Sequence, residues 1–268
     1  KAIMPKLQDP KVRILMMTPV IGDRIRKKIC EGLTQALGGD FYEVIIGGAA
    51  LNQEVERLLH EIGFHYTVGY GATECAPIIA YNDWKEQVVG GCGRCVVHQE
   101  LRIDSPDPEH VPGEILTRGL NVMLGYYKNE ELTRSVIDAD GWYHTGDLGV
   151  LRADGNLFIK GRSKNMLLGA NGQNVYPEEI EDKLNSMPMV VESIVVQREN
   201  KLVALVYPDQ DEARAMSFTK EDLHNIMEQN RNGLNQMLPA YEKITEIEIH
   251  EQEFEKTPKR SIKRFLYK

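Results

Sequence analysis

Three polar side chains stand out from the strand-like background of residues 141–181: Asp147, Arg162 and Lys164. Asp147 follows Thr145-Gly146, a tight bend able to present a carboxylate at the start of a strand. Residues 148–160 read as a β-hairpin, because Asp154-Gly155 is a turn dipeptide suited to positive φ at both central positions. The returning strand brings Gly161-Arg162 back toward the carboxylate. A carboxylate accepting from two vicinal hydroxyls, beside a cation that never deprotonates, can clamp a ribose and its phosphate. A hairpin closed by an ordinary Asp–Arg pair fits the same spacing equally well.

A second polar group is expected at two strand ends upstream. Residues 42–46 and 65–68 are short apolar runs, as buried strands would be. Between them, Val55, Leu58, Leu59 and Ile62 share one face of a helix with Asn52 as its N-cap. The strand–helix–strand order predicts a parallel crossover unit, and ligands of such sheets gather beyond the C-terminal strand ends. One strand runs into Gly47-Gly48-Ala49, where small side chains let a flat ring approach the backbone. The other runs into Gly69-Tyr70-Gly71-Ala72-Thr73-Glu74. Single glycine clusters usually mark turns, but two at adjacent strand ends are a stronger signal. Taken alone, Tyr70 reads as a core aromatic.

The remaining elements follow from periodicity. Ile21, Ile25, Ile29, Leu33 and Leu37 form the stripe of a helix closed by Gly38-Gly39. Residues 100–104 and 113–117 are strands joined by a proline-punctuated connection. Beyond Lys164 the pattern becomes α+β. Pro177 opens a helix with Glu178 and Glu179 in its first turn and a stripe of Ile180, Leu184 and Met187. Residues 190–197 and 202–207 are paired strands, Thr219-x-x-Asp222 is a capping box, and Ile247 and Ile249 alternate with charged residues along a half-exposed strand.

HTGDL at 144–148, GRSK at 161–164, GQNVYPEEIE at 172–181 and GYGATE at 69–74 resemble the core motifs of the adenylate-forming superfamily, closest to its long-chain fatty-acid–CoA ligases. The resemblance implies an α/β plus α+β fold. Residues 1–162 would be the end of the large AMP-binding domain, a parallel-sheet piece and a β-rich barrel-like subdomain. Residues 163–268 would be the small mobile domain. It implies that Tyr70 flanks adenine, Thr73 contacts the α-phosphate, Glu74 holds Mg²⁺, Asp147 holds the ribose hydroxyls and Arg162 supports ribose and phosphate. Gly48, Ala49, Gly71 and Ile159 complete the nucleotide-binding set, Lys164 is the interdomain hinge, and Gly172 borders the pantetheine tunnel. ATP, a fatty acid and CoA are the implied substrates, AMP a product.

Two departures qualify that picture. The family ends on Thr-Pro-x-x-Lys-Ile, and strict register here places Ser261 where its catalytic lysine stands. Lys263 is expected to take that role, with Lys259 and Arg260 as competitors. No Ser/Thr/Gly-rich loop ending in Pro-Lys-Gly occurs, so the chain is expected to be the C-terminal portion of a synthetase, inactive alone. An aryl-acid ligase, a peptide-synthetase adenylation domain, an AMP-binding module without catalysis and a scaffold fragment are the alternatives.

Composition sets outer bounds. With 40 acidic against 32 basic residues in 268, the chain does not present a nucleic-acid surface. No apolar run reaches the length of a membrane span and no secretory leader is visible. A cytoplasmic location is expected, a peripheral membrane contact stays open, and oligomeric state is not encoded legibly. Cys92-x-x-Cys95 with His98 suggests zinc, but no second Cys or His pair stands at a matching spacing.

Overall fold

The computed structural model describes residues 19–169, 171–258 and 261–267. The chain forms two compact units. One comprises Lys1–Thr145 and Gly149–Ile159; the other comprises Gly146–Leu148 and Lys160–Lys268.

In the first unit, helix α1 (Pro19–Ala36) packs Ile29 and Leu33 against a cluster built on Ile62, Phe64, Tyr66 and Val68. The stripe is shorter than its periodicity suggests, since Ile21 and Leu37 are exposed. Both terminating glycines, Gly38 and Gly39, adopt positive φ. Strand β1 covers Val44–Ile46 only, because Tyr42 turns outward to donate its hydroxyl to Asp83 Oδ2 at 2.6 Å. Helix α2 (Gln53–Glu61) is capped by Asn52, whose Oδ1 accepts from the amides of Glu54 and Val55. Strand β2 (Tyr66–Val68) pairs with β1 in parallel, as the pattern requires.

Seven further strands and a helix lead through the β-rich region. Strands β3 (Tyr70–Gly71), β4 (Ile78–Tyr81) and β5 (Arg94–Cys95) form one antiparallel sheet. Strands β6 (Gln99–Asp104), β7 (Gly113–Gly119), β8 (Tyr143–Leu151) and β9 (Leu157–Arg162) form a second in that order. Helix α3 (Glu130–Val136) lies between β7 and β8, capped by Asn129. Neither sheet closes on itself, so the barrel-like expectation resolves into open sheets. Two details of the hairpin also differ. Asp147 stands in the middle of β8, because the Thr145-Gly146 bend is absorbed as a φ of 69° at Gly146 within a continuous strand. At the turn only Gly155 has positive φ. The Gly155 amide bonds the Arg152 carbonyl at 2.8 Å, so the left-handed residue follows an ordinary turn.

In the second unit, the two-residue strands β10 (Leu167–Leu168) and β11 (Asn174–Val175) make a small hairpin. Helix α4 (Pro177–Leu184) begins on proline. Strand β12 (Val190–Arg198) runs antiparallel to β13 (Lys201–Pro208), and β14 (Ile244–Ile249) joins β13 in parallel. Helices α5 (Gln210–Ala215) and α6 (Lys220–Met237) intervene, the latter opened by the Thr219–Asp222 capping box. The central strands are apolar on both faces because both are covered. Val195, Ala204 and Val206 meet Ile180, Leu184, Met227 and Leu234 of the helices. Ile194, Val196, Val203 and Leu205 meet Phe254, Ile262 and Tyr267 of the C-terminal tail.

Candidate nucleotide-binding site

Gly47 and Gly69 directly follow the parallel strands, and the Gly69 amide donates to the Ile46 carbonyl at 2.9 Å. The neighbouring glycines are required for different reasons. Gly48 has a φ of 83° and open space where a side chain would begin. Gly71 is held by packing, since a Cβ there would stand 2.0 Å from the Pro77 carbonyl oxygen. Tyr70 packs its ring partly into the core beside Leu101. Ile159 is also partly buried, against Leu157 and Ile115.

After β3 the chain makes a 3-10 turn, Thr73–Cys75, closed by Ala76 in the left-handed conformation. Thr73 is exposed and Glu74 half-buried. The Tyr126 hydroxyl donates to Glu74 Oε1 at 2.9 Å, and the Met123 amide donates to the Glu74 carbonyl at 2.7 Å. Burial, and then the Glu74 charge, push the Tyr143 phenol up, and Tyr143 hydrogen-bonds Tyr126 in turn. With Oε1 engaged by a neutral donor, Oε2 is left for a further ligand. One monodentate carboxylate oxygen beside nucleotide phosphates is the donor set a magnesium ion takes, so the residues fit Mg²⁺. Cys75, behind the turn, is fully buried, and burial raises its thiol to about 11.

The cysteine pair has a different character. Burial pushes the Cys92 thiol up to about 12, and Cys95 donates to the Gln99 carbonyl at 3.2 Å. Among the described residues no three His, Cys, Asp or Glu side chains are grouped to hold a metal.

In the second unit, Arg162 Nε stands 2.7 Å from Asp147 Oδ1, so the hairpin returns the guanidinium to the carboxylate as its spacing implies. Asp147 is only 8 % exposed, whereas the Arg162 side chain is 54 % exposed. Solvent screening therefore keeps the pair's own contribution to stability to about 1 kcal/mol or less. The geometry thus sets an exposed guanidinium beside a nearly buried carboxylate. Glu178, in the first turn of α4, reaches the following segment. Its Oε1 accepts from Asn165 Nδ2 at 2.7 Å, and its Oε2 would lie 2.6 Å from a Cβ on Gly161. Lys160 is paired with Glu179 at 2.7 Å. Lys164 is exposed in the 3-10 turn Ser163–Asn165, and Gly172 has a φ of 78° in the turn between β10 and β11.

The C-terminal loop is a narrow hairpin. Lys256 bridges to Ile262, the Thr257 amide bonds the Ser261 carbonyl, and the Lys263 amide bonds the Glu255 carbonyl. Lys263 is at its base, with Nζ 3.2 Å from Glu255 Oε2, while Ser261 is nearer the tip. Lys259 and Arg260 lie outside the described residues. Arg264 is ion-paired with the buried Glu181 of α4, which also accepts from the Val195 amide at 2.6 Å.

Two models of AMP-binding enzymes match the sequence, one for the enzyme proper over residues 2–127 and one for the C-terminal domain over 164–267. The chain belongs to the AMP-binding enzyme family. The long-chain-fatty-acid–CoA ligase of Escherichia coli O157:H7 is 39% identical over 156 residues, 56% of this chain and 28% of that protein. The 2-succinylbenzoate–CoA ligase of Bacillus cytotoxicus is 31% identical over 212 residues, 75% of this chain and 44% of that protein. Among solved structures, the anthranilate CoA ligase AuaEII in complex with anthranoyl-AMP superposes with a TM-score of 0.72 at 26% identity, covering 84% of this chain and 44% of that one. The chain thus spans under half the length of these relatives. Its fold is the one shared with these AMP-binding enzymes, and no described helix is long and apolar enough to cross a membrane.

Sequence reasoning did not find Tyr126, Tyr143, Glu178 or the Glu181–Arg264 pair as parts of this arrangement. Tyr126 and Glu74 are 52 positions apart, and nothing in either local pattern links them. The acidic run 178–181 was legible as a helix start, but which of its carboxylates turn inward was not.

Proposed function

We propose that the chain is part of an AMP-forming acid–thiol ligase that activates a fatty acid with ATP and transfers the acyl group to CoA. The nearly buried Asp147 carboxylate, 2.7 Å from Arg162 across the β8–β9 hairpin, carries the reading. In the first half-reaction the substrate carboxylate attacks the α-phosphate and the bond to pyrophosphate breaks, giving an acyl-adenylate. In the second the CoA thiolate attacks the acyl carbonyl, and AMP leaves with the C–O bonding pair.

The residues divide this work. Asp147 accepts from the ribose hydroxyls, Arg162 and Thr73 meet phosphate oxygens, Tyr70, Gly48, Ala49, Gly71 and Ile159 surround the base, and Lys263 brings positive charge to the adenylation step. Glu74 would hold Mg²⁺, which offsets charge on the phosphates. Lys164 serves as the hinge between a large domain ending at residue 162 and a small one beginning at 163, and Gly172 borders the thiol's path. Relatives named for aliphatic and for aromatic acids both match, so an aryl-acid ligase is the second reading. A cytoplasmic site of action, with peripheral contact to the membrane that holds fatty acids, goes with the first. No Pro-Lys-Gly phosphate loop occurs in the 268 residues, so they are not expected to form acyl-adenylate by themselves.

Calorimetric titration of this chain with AMP tests the core of the reading. Asp147→Ala should weaken AMP binding roughly 10- to 100-fold, the worth of hydrogen bonds to a charged acceptor. Equal affinity in wild type and variant would refute it. An acid panel on the full-length ligase separates fatty from aryl substrates.

A further inference from the structure

The turn that carries Glu74 is fastened from one side by a single loop. Asn121 Nδ2 donates to the carbonyls of Cys75 and Ile78 at 2.8 and 3.0 Å. The Met123 amide donates to the Glu74 carbonyl at 2.7 Å, and the Tyr126 hydroxyl donates to Glu74 Oε1 at 2.9 Å. Tyr126 is itself held at its backbone. Its amide donates to Thr133 Oγ1 at 2.9 Å, and that hydroxyl donates to the Asn129 carbonyl at 2.9 Å. Gly125 permits this close fit, since a Cβ there would stand 2.8 Å from the Thr133 side chain.

The bonds from Asn121 and Met123 fix the backbone of the turn. The bond from Tyr126 fixes the carboxylate. A free glutamate side chain rotates about three bonds and can meet a cation through either oxygen or both. Mg²⁺ demands near-octahedral geometry and short bonds, so one oriented oxygen serves it better than a mobile carboxylate. A donor on the other oxygen supplies that orientation, as partners behind metal ligands generally do.

We propose that Tyr126 is the positioning residue for Glu74, locking Oε1 so that Oε2 alone meets the divalent cation that accompanies the nucleotide. The inference rests on the reading of Glu74 as the metal ligand. It assigns the tyrosine to metal coupling and not to nucleotide contact or to folding. Its removal must therefore weaken the metal's contribution and leave the nucleotide's own binding in place.

The test measures ATP affinity of this chain with and without Mn²⁺, for wild type, Tyr126→Phe and Glu74→Gln. Wild type should bind Mn²⁺–ATP more tightly than metal-free ATP. Tyr126→Phe should cut that ratio by about tenfold, the lower end of such effects, with metal-free affinity within about twofold of wild type. Glu74→Gln should abolish the ratio. If Glu74→Gln abolishes it and Tyr126→Phe keeps it, the inference fails and the reading of Glu74 stands. A ratio of one in wild type, or one preserved in Glu74→Gln, overturns that reading and the inference with it. Loss of metal-free affinity along with the ratio in Tyr126→Phe would show a structural role and refute the proposal. Should the phenylalanine variant not fold, Thr133→Val, which keeps the Tyr126 hydroxyl but removes the Thr133 hydroxyl that holds the Tyr126 amide, must lower the ratio in the same direction; an unchanged ratio there refutes it.

Discussion

Glu56, in the first turn of α2, is almost fully enclosed. Its oxygens accept from the Gly90 amide at 2.9 Å and from Gln87 Nε2 at 3.2 Å, and Gln87 Oε1 in turn accepts from the Thr67 hydroxyl and the Val68 amide. Burial outweighs those bonds and holds the carboxyl above its ordinary value of 4.5. The native state therefore favours the protonated form. The stability this adds is complete below the unfolded value and is lost as pH climbs through the folded one. The stability of wild type minus that of Glu56→Gln should accordingly fall as pH rises from about 4.5 toward neutrality. Urea unfolding of both proteins across that range checks it, and a flat difference would contradict the assignment. At the same scale, Lys263→Ala in the full-length ligase should slow adenylation far more than thioester formation from supplied acyl-adenylate. A selective defect in Lys259→Ala, with Lys263→Ala near wild type, would transfer the role. Asp147 and Arg162 were legible in the sequence because one hairpin joins them. Glu56 was not, since helical periodicity marks a face and not which charged residue at its margin is drawn under the next loop.

Among the elements, the two glycine-bearing strand ends separate cleanly. Gly48→Ala meets no neighbour and should cost only the left-handed conformation, about 1–2 kcal/mol. Gly71→Ala would drive a methyl into the Pro77 carbonyl, so the Thr73–Cys75 turn must move. It should cost more than Gly48→Ala and should also impair ATP binding; equal unfolding midpoints would count against this account. The segment before β10 behaves similarly. Lys164 follows Ser163 at the start of a 3-10 turn, and proline disfavours helical backbone in the residue before it. Lys164→Pro in the full-length enzyme should therefore disturb the conformation seen here and impair thioester formation more than adenylation. Matched losses in both half-reactions would argue against a hinge. Element types were readable because caps, turn dipeptides and periodicity are local. The places where reading and structure part, the bend inside β8 and the single positive φ at Gly155, depend on how the partner strand takes up twist.

The whole molecule has two units with separate cores, one built on the β1–β2 pair and the other on β12–β14. The parallel pairing of β1 with β2 followed from the order of elements. Open sheets where a barrel-like region was expected did not, because closure is decided by strand pairing across long loops and alternation alone carries no trace of it. The tail over β12–β14 was invisible for a like reason: Phe254, Ile262 and Tyr267 are scattered apolar residues in a basic, polar stretch. Its anchor is the buried Glu181–Arg264 pair. Glu181→Ala should destabilise the second unit by about 3–5 kcal/mol, because it strands a largely buried guanidinium and the Val195 amide. Thermal unfolding measures it; a loss below about 1 kcal/mol would mean the tail is held by its apolar residues alone.

Fastening the tail on both sides of its hairpin has a consequence for how such a chain can diverge. Phe254 secures one flank, Ile262, Arg264 and Tyr267 the other, and the stretch between Thr257 and Ser261 carries none of these anchors. Extra residues inserted there would enlarge a closed loop at only about 0.6 kcal/mol for each doubling of its length. Losing one residue from either flank would instead put the anchors out of step. The length of the tip can thus change while the flanks that hold the tail, and Lys263 at the hairpin base, stay in register.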